Sequence, residues 1–347
     1  MKNLYTKTVV ALLTTLSVTA YAQDIHFSQF YMSPLNLNPA AAGAFKDIYI
    51  VTHYRDQWKS VASPYKTYDL CGDMRIVKKK SKKATFGAGL TVYSDKAGDA
   101  SLATTQINLN IASHIQLDDK QKLSLGLMGG YVMKSINYSA LTWDNQFDGT
   151  SFNSALPSGE PNSNTKFNYF DCGAGMMWQY NKSEMYISGN DNFHVDLGVS
   201  AYHLNNPRYS FYNAQNDRLY TKYVFIGNML YGLKNTPLSL VPGILYYRQG
   251  PAQEVKAGMM IKYTLKEDSK YTGYVKGAAI SAGAFYRWGD AAVITTLLEI
   301  SNYAVGISYD VNVSDLRKAS NGRGGIEIVL RYVNPSNFLY QNKARFN

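Results

Sequence analysis

The chain has 347 residues, a formal net charge of +10, 29 tyrosines and 27 glycines, and 17% of its residues are charged. Two cysteines, Cys71 and Cys172, are too few for a disulfide scaffold, and the sequence leaves their pairing open. No apolar run of ~18 residues follows residue 22, which excludes a helical membrane span; tyrosine, glycine and polar-apolar alternation without such runs is a β signature.

The first element reads as an export signal over 1–22. Lys2 and Lys7 open it, Thr8–Ala20 is a short apolar stretch, and Ala20-Tyr21-Ala22 is a small-x-small cleavage site, so the mature chain is expected to start at Gln23. No cysteine follows that site, which argues against a lipid anchor. For an exported chain, phosphates of lipid or lipopolysaccharide are a simpler counterpart to the positive charge than nucleic acid.

A segment over 23–46 follows, with IHFSQFYMSPLNLNPAAAG at 25–43. Asn38 is a helix N-cap before Pro39, Ala40, Ala41 and Ala42 extend one turn, and Gly43 stops it. Exposed rings at Phe27, Phe30 and Tyr31 would be a liability in the periplasm, so the segment is expected to tuck into a barrel's inner mouth or against a partner there. Phe27, Phe30, Tyr31, Pro34, Asn38, Pro39 and Gly43 are its candidate partner-docking residues.

From residue 47 to 333 the pattern changes to alternation. YAVGISYDVN sets Tyr303, Val305, Ile307, Tyr309 and Val311 on one face, and Ala304, Gly306, Ser308, Asp310 and Asn312 on the other. QINLNIASHIQL sets Ile107, Leu109, Ile111 and Ile115 against Gln106, Asn108, Asn110 and His114. About fourteen such segments are predicted, at 47–58, 65–76, 84–94, 102–116, 122–138, 166–180, 192–204, 219–232, 237–249, 253–265, 274–288, 291–300, 303–313 and 323–333. Most reach the ~9–11 residues a tilted membrane strand needs. Many end on an aromatic suited to a membrane interface: Trp58, Tyr93, Tyr138, Tyr180, Tyr202, Trp288 and Tyr332. The faces opposite the apolar ones carry Gly, Ala, Ser, Asn and charge, as a lumen does. The fold class is therefore all-β, a transmembrane antiparallel up-and-down barrel of the outer membrane, with a C-terminal tail over 334–347.

Loop parity supports this. With a periplasmic N-terminus, the short connections KKKSKK, DDKQ, KNTP and SN fall inside, and the two longest, 139–165 and 205–218, both fall outside. The lysine run at 78–83 reads as a solvated hairpin turn that can also touch inner-leaflet phosphates or a periplasmic partner.

Catalytic and metal signals are weak. His26, His53, His114, His194 and His203 show no metal-ligand spacing, and no Gly-x-Ser-x-Gly, P-loop or dinucleotide fingerprint occurs. Neither metal nor cofactor is expected, and the chain is read as non-enzymatic. An outer-membrane channel for small or hydrophobic compounds is the alternative.

Four stretches also carry a family resemblance: QDIHFSQFYMSPLNLNPAAAG at the mature N-terminus, YRDQW at 54–58, FGAGLTVYSDKAGD at 86–99 and GISYDVNVSDLRKASNGRGGIEI at 306–328. Together they resemble the PorP/SprF family, outer-membrane proteins of the type IX secretion and gliding machinery of Bacteroidetes. Within them the family-motif positions are Tyr54, Arg55, Trp58, Asp95, Gly98, Tyr309, Asp310, Asn312, Ser320, Gly324 and Gly325. The resemblance implies a role beside the secretion machine, or as dedicated partner of a secreted adhesin bearing a type-B C-terminal domain.

Overall fold

The computed structural model describes residues 24–60, 63–77, 84–159, 164–182, 190, 192–212, 217–267, 277–315 and 317–334. The export signal, the lysine run at 78–83 and the tail beyond 334 lie outside the described residues. Among the described residues no helix is long and apolar enough to cross a membrane.

Fourteen antiparallel strands close on themselves, each paired with its sequence neighbours and β1 with β14. They are β1 (Ile48–Gln57), β2 (Tyr65–Val77), β3 (Ala84–Ala97), β4 (Leu102–Gln116), β5 (Gln121–Ser135), β6 (Lys166–Lys182), β7 (Phe193–Tyr202), β8 (Lys222–Gly232), β9 (Leu238–Gln249), β10 (Ala252–Lys266), β11 (Ala278–Arg287), β12 (Ala291–Ile300), β13 (Tyr303–Asn312) and β14 (Arg323–Asn334). Closure leaves no edge, which is what a bilayer demands of a β protein, because lipid offers nothing to an unpaired backbone group.

The alternation decides which face is which. Leu109, Leu127 and Ile307 are 59%, 60% and 48% exposed, whereas Asn110, Ser124 and Ser308 on the same strands are buried. The apolar face is therefore the lipid face and the other faces the lumen. Two aromatics expected at the membrane interface turn inward instead: Tyr93 donates to Gln106, and Tyr202 donates to the Asn36 carbonyl at 3.2 Å. Both sit at lumen parity, so their rings cannot reach lipid.

The long connections 136–165 and 203–221 share one end of the barrel, here the loop end, with the hairpins 98–101, 250–251 and 288–290. The turns 117–120, 233–237 and 301–302 lie at the other, the turn end, where β1 also starts. Over the loop end, Phe211 and Tyr209 from the 203–221 connection pack edge-on against Phe167 of β6, at 4.7 and 5.5 Å between ring centres.

Candidate functional site: a segment threaded through the lumen

Residues 24–45 lie inside the barrel. They run its full length, from the outermost turns of β7–β9 at the loop end down to the start of β1 at the turn end. The expectation of a segment tucked into the inner mouth is corrected in this respect. Short helical turns at Phe30–Met32, Pro34–Leu37 and Pro39–Ala41 compact and widen the chain within the bore. Asn38 caps the last of these, its side chain accepting from Ala40 N at 2.9 Å, and Gly43 leaves the turn at a φ of +69°.

The tip is held by charge. The Asp24 carboxylate receives His203 Nε2 at 2.9 Å and Lys222 Nζ at 3.3 Å, and its backbone N–H donates to Gln249. His203 passes its other ring nitrogen to Asp171 at 2.9 Å. Burial alone would lower the His203 pKa, but Asp24 and Asp171 hold it up at about 9. Burial would likewise raise Asp24, yet Lys222 and His203 keep its carboxyl well below the usual range.

Below the tip lies a buried ionic cluster that grips the backbone. Glu327 accepts the N–H groups of Ser28 and Gln29 at 2.7 and 3.0 Å. Asp310 accepts the Ser28 hydroxyl at 2.6 Å and is itself paired with Arg55 at 3.0 Å and Arg287 at 2.9 Å. Arg55 also donates to the His26 carbonyl, and Lys256 to that of Phe27 at 2.8 Å. His53 links Ser33 Oγ to Glu327, whose carboxylate lies 3.3 Å from Nδ1. This serine-histidine-glutamate row has the order of a hydrolytic triad. All three side chains are buried, however, and the glutamate is already engaged by two backbone amides, so the row serves as a clamp on the segment.

The rings fill an apolar part of the lumen. Phe30 meets Phe285 edge-on at 5.4 Å within a cluster that includes Val224, Ile226, Leu245, Met260 and Val293, all facing inward from β8–β12. Tyr31 stacks on Phe285 at 5.5 Å and its hydroxyl meets Thr295 at 2.8 Å; Phe27 lies 4.6 Å from the His53 ring. The lumen face is thus not uniformly small and polar as the alternation suggested.

Where the segment's backbone presses on the opposite wall, the wall is glycine. A Cβ on Gly87 would overlap the Ala42 carbonyl, one on Gly126 the Ala40 amide, and one on Gly175 the Asn38 side chain. Absence of side chains at Gly87 and Gly126 lets the two backbones approach, and at Gly175 it makes room for the Asn38 side chain. Around them Asn38 donates to the Met176 carbonyl at 2.9 Å, His114 donates to that of Ala42 at 2.8 Å, Gly43 N–H donates to Asp73 at 2.8 Å, and Lys122 reaches the Ala44 carbonyl at 2.6 Å.

The candidate docking residues are therefore spent on the wall. Phe27, Phe30, Asn38, Pro39 and Gly43 are buried, and Tyr31 and Pro34 are half-buried. Of the family-motif positions, Arg55 and Asp310 are brought together in the ionic cluster. Asn312 donates to Ser320 Oγ at 3.0 Å and, with Gly324 and Gly325, shapes the β13–β14 hairpin, where a Cβ on Gly324 would sit 2.6 Å from the Asp310 carbonyl. The rest stand apart from the segment. Asp95 accepts from Thr67 at 2.7 Å, Gly98 turns at a φ of +65°, Trp58 packs on Tyr65 at 4.8 Å, Tyr54 on Tyr68 at 5.2 Å, and Tyr309 faces lipid.

Sequence reasoning missed His53, His203, Asp171, Lys256, Arg287 and Glu327 as members of this site. A signal was available for most of them: a charged or imidazole side chain at lumen parity within a strand needs a partner, and the segment is the nearest one.

The model of the family described as type IX secretion system membrane protein PorP/SprF matches residues 19–332. None of the curated proteins compared matches the chain. Among solved structures, the TodX deltaS2S3 mutant monoaromatic hydrocarbon channel is similar at 12% identity, covering 86% of this chain and 93% of its own, with a TM-score of 0.47. A FadL homologue of Pseudomonas aeruginosa is similar at 10% identity over 85% and 92%, TM-score 0.44, and BamA of Haemophilus ducreyi lacking POTRA domains 1–3 at 10% over 83% and 70%, TM-score 0.41. Similarity at this level carries no information on ligand or activity.

Proposed function

The chain belongs to the PorP/SprF family of type IX secretion system membrane proteins, and from that premise we propose that it is a plugged, non-enzymatic outer-membrane barrel that docks secretion components or a secreted adhesin-type cargo. The observation that carries this reading is the seated segment: residues 24–45 occupy the bore from end to end and are tied to most of the strands around it. A channel needs the opposite, a continuous path, so the reading as a conduit for small or hydrophobic compounds loses its support. With the rings of Phe27, Phe30 and Tyr31 committed to the wall, partner contact falls to the two mouths, whose shape the segment sets. In this reading the signal is removed after Ala22, the loop end faces outward, and the lysine-bearing turn end faces the periplasm and the inner-leaflet phosphates.

The test pairs two measurements on the full protein. Reconstituted in planar bilayers it should be electrically silent, and extracted from cells in mild detergent it should bring down secretion components or a secreted protein with a type-B C-terminal domain. Steady single-channel conductance with no co-purifying secretion protein would favour the channel instead.

A further inference from the structure

The segment does not fill the lumen evenly. At the turn end it lies against β2–β7, and a cavity of about 470 Å³ remains on its other side, walled by β8–β12 and β14 and bounded by β1 and β7. Part of its wall is apolar where a lumen is ordinarily polar: Tyr31 and Met32 of the segment face Leu230, Val241, Met260 and Leu297 of the barrel, with Asn228 and Ser281 between them.

The mouth of this trough is cationic. Lys262 and Arg331 share one carboxylate, Glu299, each at 2.6 Å. Lys46 stands at the rim, and across the trough Asp196 is bonded to His194 and Gln179. Lys262, Arg331 and Lys46 against Glu299 and Asp196 is three charges against two, so one positive charge is in excess.

In the wall beside the trough the β8–β9 pairing also lapses for two residue pairs, with the register kept on either side. The β8–β9 ladder runs from Lys222↔Gln249 to Asn228↔Gly243 and resumes at Tyr231↔Leu240; Met229 and Leu230 are opposite Pro242 and Val241 without pairing. Pro242 has no N–H to give, so the ladder is weakened there. On its other side β9 stays paired, Val241 with Met260 and Pro242 with Met259. Leu230 and Val241 line the trough, so the lapse lies between it and lipid.

We propose that this trough is a binding site for a single-chain anionic amphiphile, a fatty-acid carboxylate, with its chain along Met260 and Leu297, its carboxylate at Lys262 and Arg331, and access from the membrane through the weakened ladder at Pro242. The site is separate from the docking role and does not depend on it. An acyl chain matches the apolar part of the wall, a carboxylate the excess charge, and the bilayer is the source that the weakened ladder faces.

The experiment titrates the full protein in a nonionic detergent with dodecanoate, dodecanol and inorganic phosphate, reading bound ligand by native mass spectrometry. One dodecanoate should be retained per chain, dodecanol should bind about ten-fold more weakly for want of the charged contact, and phosphate alone should not be retained. Lys262→Gln should weaken dodecanoate by about ten-fold and leave dodecanol unchanged, while Leu297→Trp should fill the trough and remove both. Wild-type heat-modifiability on gels shows that each variant has folded, and Ser281→Phe on the same wall replaces Leu297→Trp if that variant does not assemble. Pro242→Val should slow uptake of dodecanoate from vesicles without changing the final occupancy. Equal retention of dodecanoate by wild type, Lys262→Gln and the filled variant overturns the site. Equal retention of dodecanol and dodecanoate overturns the assignment of a carboxylate, and an unchanged uptake rate in Pro242→Val overturns the lateral route.

Discussion

Replacing Phe27, Phe30 and Tyr31 together by serine separates the plug from the barrel. Phe27 and Phe30 are buried, so each loses contact worth ~1.5–3 kcal/mol, and the edge-on pairing of Phe30 with Phe285 adds about 1 kcal/mol. Tyr31 is half-buried and contributes less, together with its hydrogen bond to Thr295, itself worth about 1 kcal/mol net. The sum, on the order of 5–8 kcal/mol, rivals the whole net stability of an ordinary domain. None of it is drawn from the fourteen strand pairings, which involve no residue of the segment. The variant should therefore still form a heat-modifiable barrel, while residues 24–45 lose their seat. Three readouts follow the seat: the variant should conduct in planar bilayers where the wild type is silent, the segment should become open to protease, and surface display of the dependent partner should fall. If the barrel itself fails to appear in the membrane, the segment is a folding element and the separation is wrong. A silent, protease-resistant variant with normal partner display would show that the polar anchors alone hold the segment and that the rings are dispensable.

The glycine wall makes the same claim by a different route. Gly126→Val or Gly175→Val puts a side chain where Ala40 or Asn38 now sits, and should unseat the segment with the barrel retained, seen as conductance without loss of heat-modifiability. Arg55→Met leaves Asp310 with Arg287 but strips the His26 carbonyl of its donor; loss of one partner of a buried pair costs about 3–5 kcal/mol, so the temperature of the unheated-to-heated gel transition should drop clearly. The contact of His203 with Asp24 and Asp171 is fully present below the ordinary imidazole value of 6.5 and is lost as pH rises through about 9, so that transition should fall from pH 6.5 to above 9, and His203→Gln should flatten the dependence. A tag within 150–158 should be labelled on intact cells and one at Lys120 should not; the reverse result inverts the membrane orientation.

The strands were legible in the sequence because a strand's signal is local. Alternation with a period of two marks an element and its two faces within its own ten or so residues, which is why 102–116 and 291–300 are the strands Leu102–Gln116 and Ala291–Ile300 and why their apolar residues meet lipid. The cap at Asn38 and the stop at Gly43 were legible for the same reason, since each acts on its immediate neighbours. Parity, however, says only that a residue points inward, not what it meets there. Closure of the ring brings Asp310 to Arg55 across 255 residues and Glu327 to Ser28 across 299, and no local pattern encodes either distance. The same holds for Phe285, Val293 and Leu245: each is an apolar residue at lumen parity on a different strand, and only the curvature of the closed sheet gathers them into a seat for Phe30. The course of the segment was likewise decided by the tertiary structure. Nothing near Asp24 states that it should climb to the loop end; the cations that hold it, His203 and Lys222, come from either end of a single long connection, and they face the bore only once the barrel has closed.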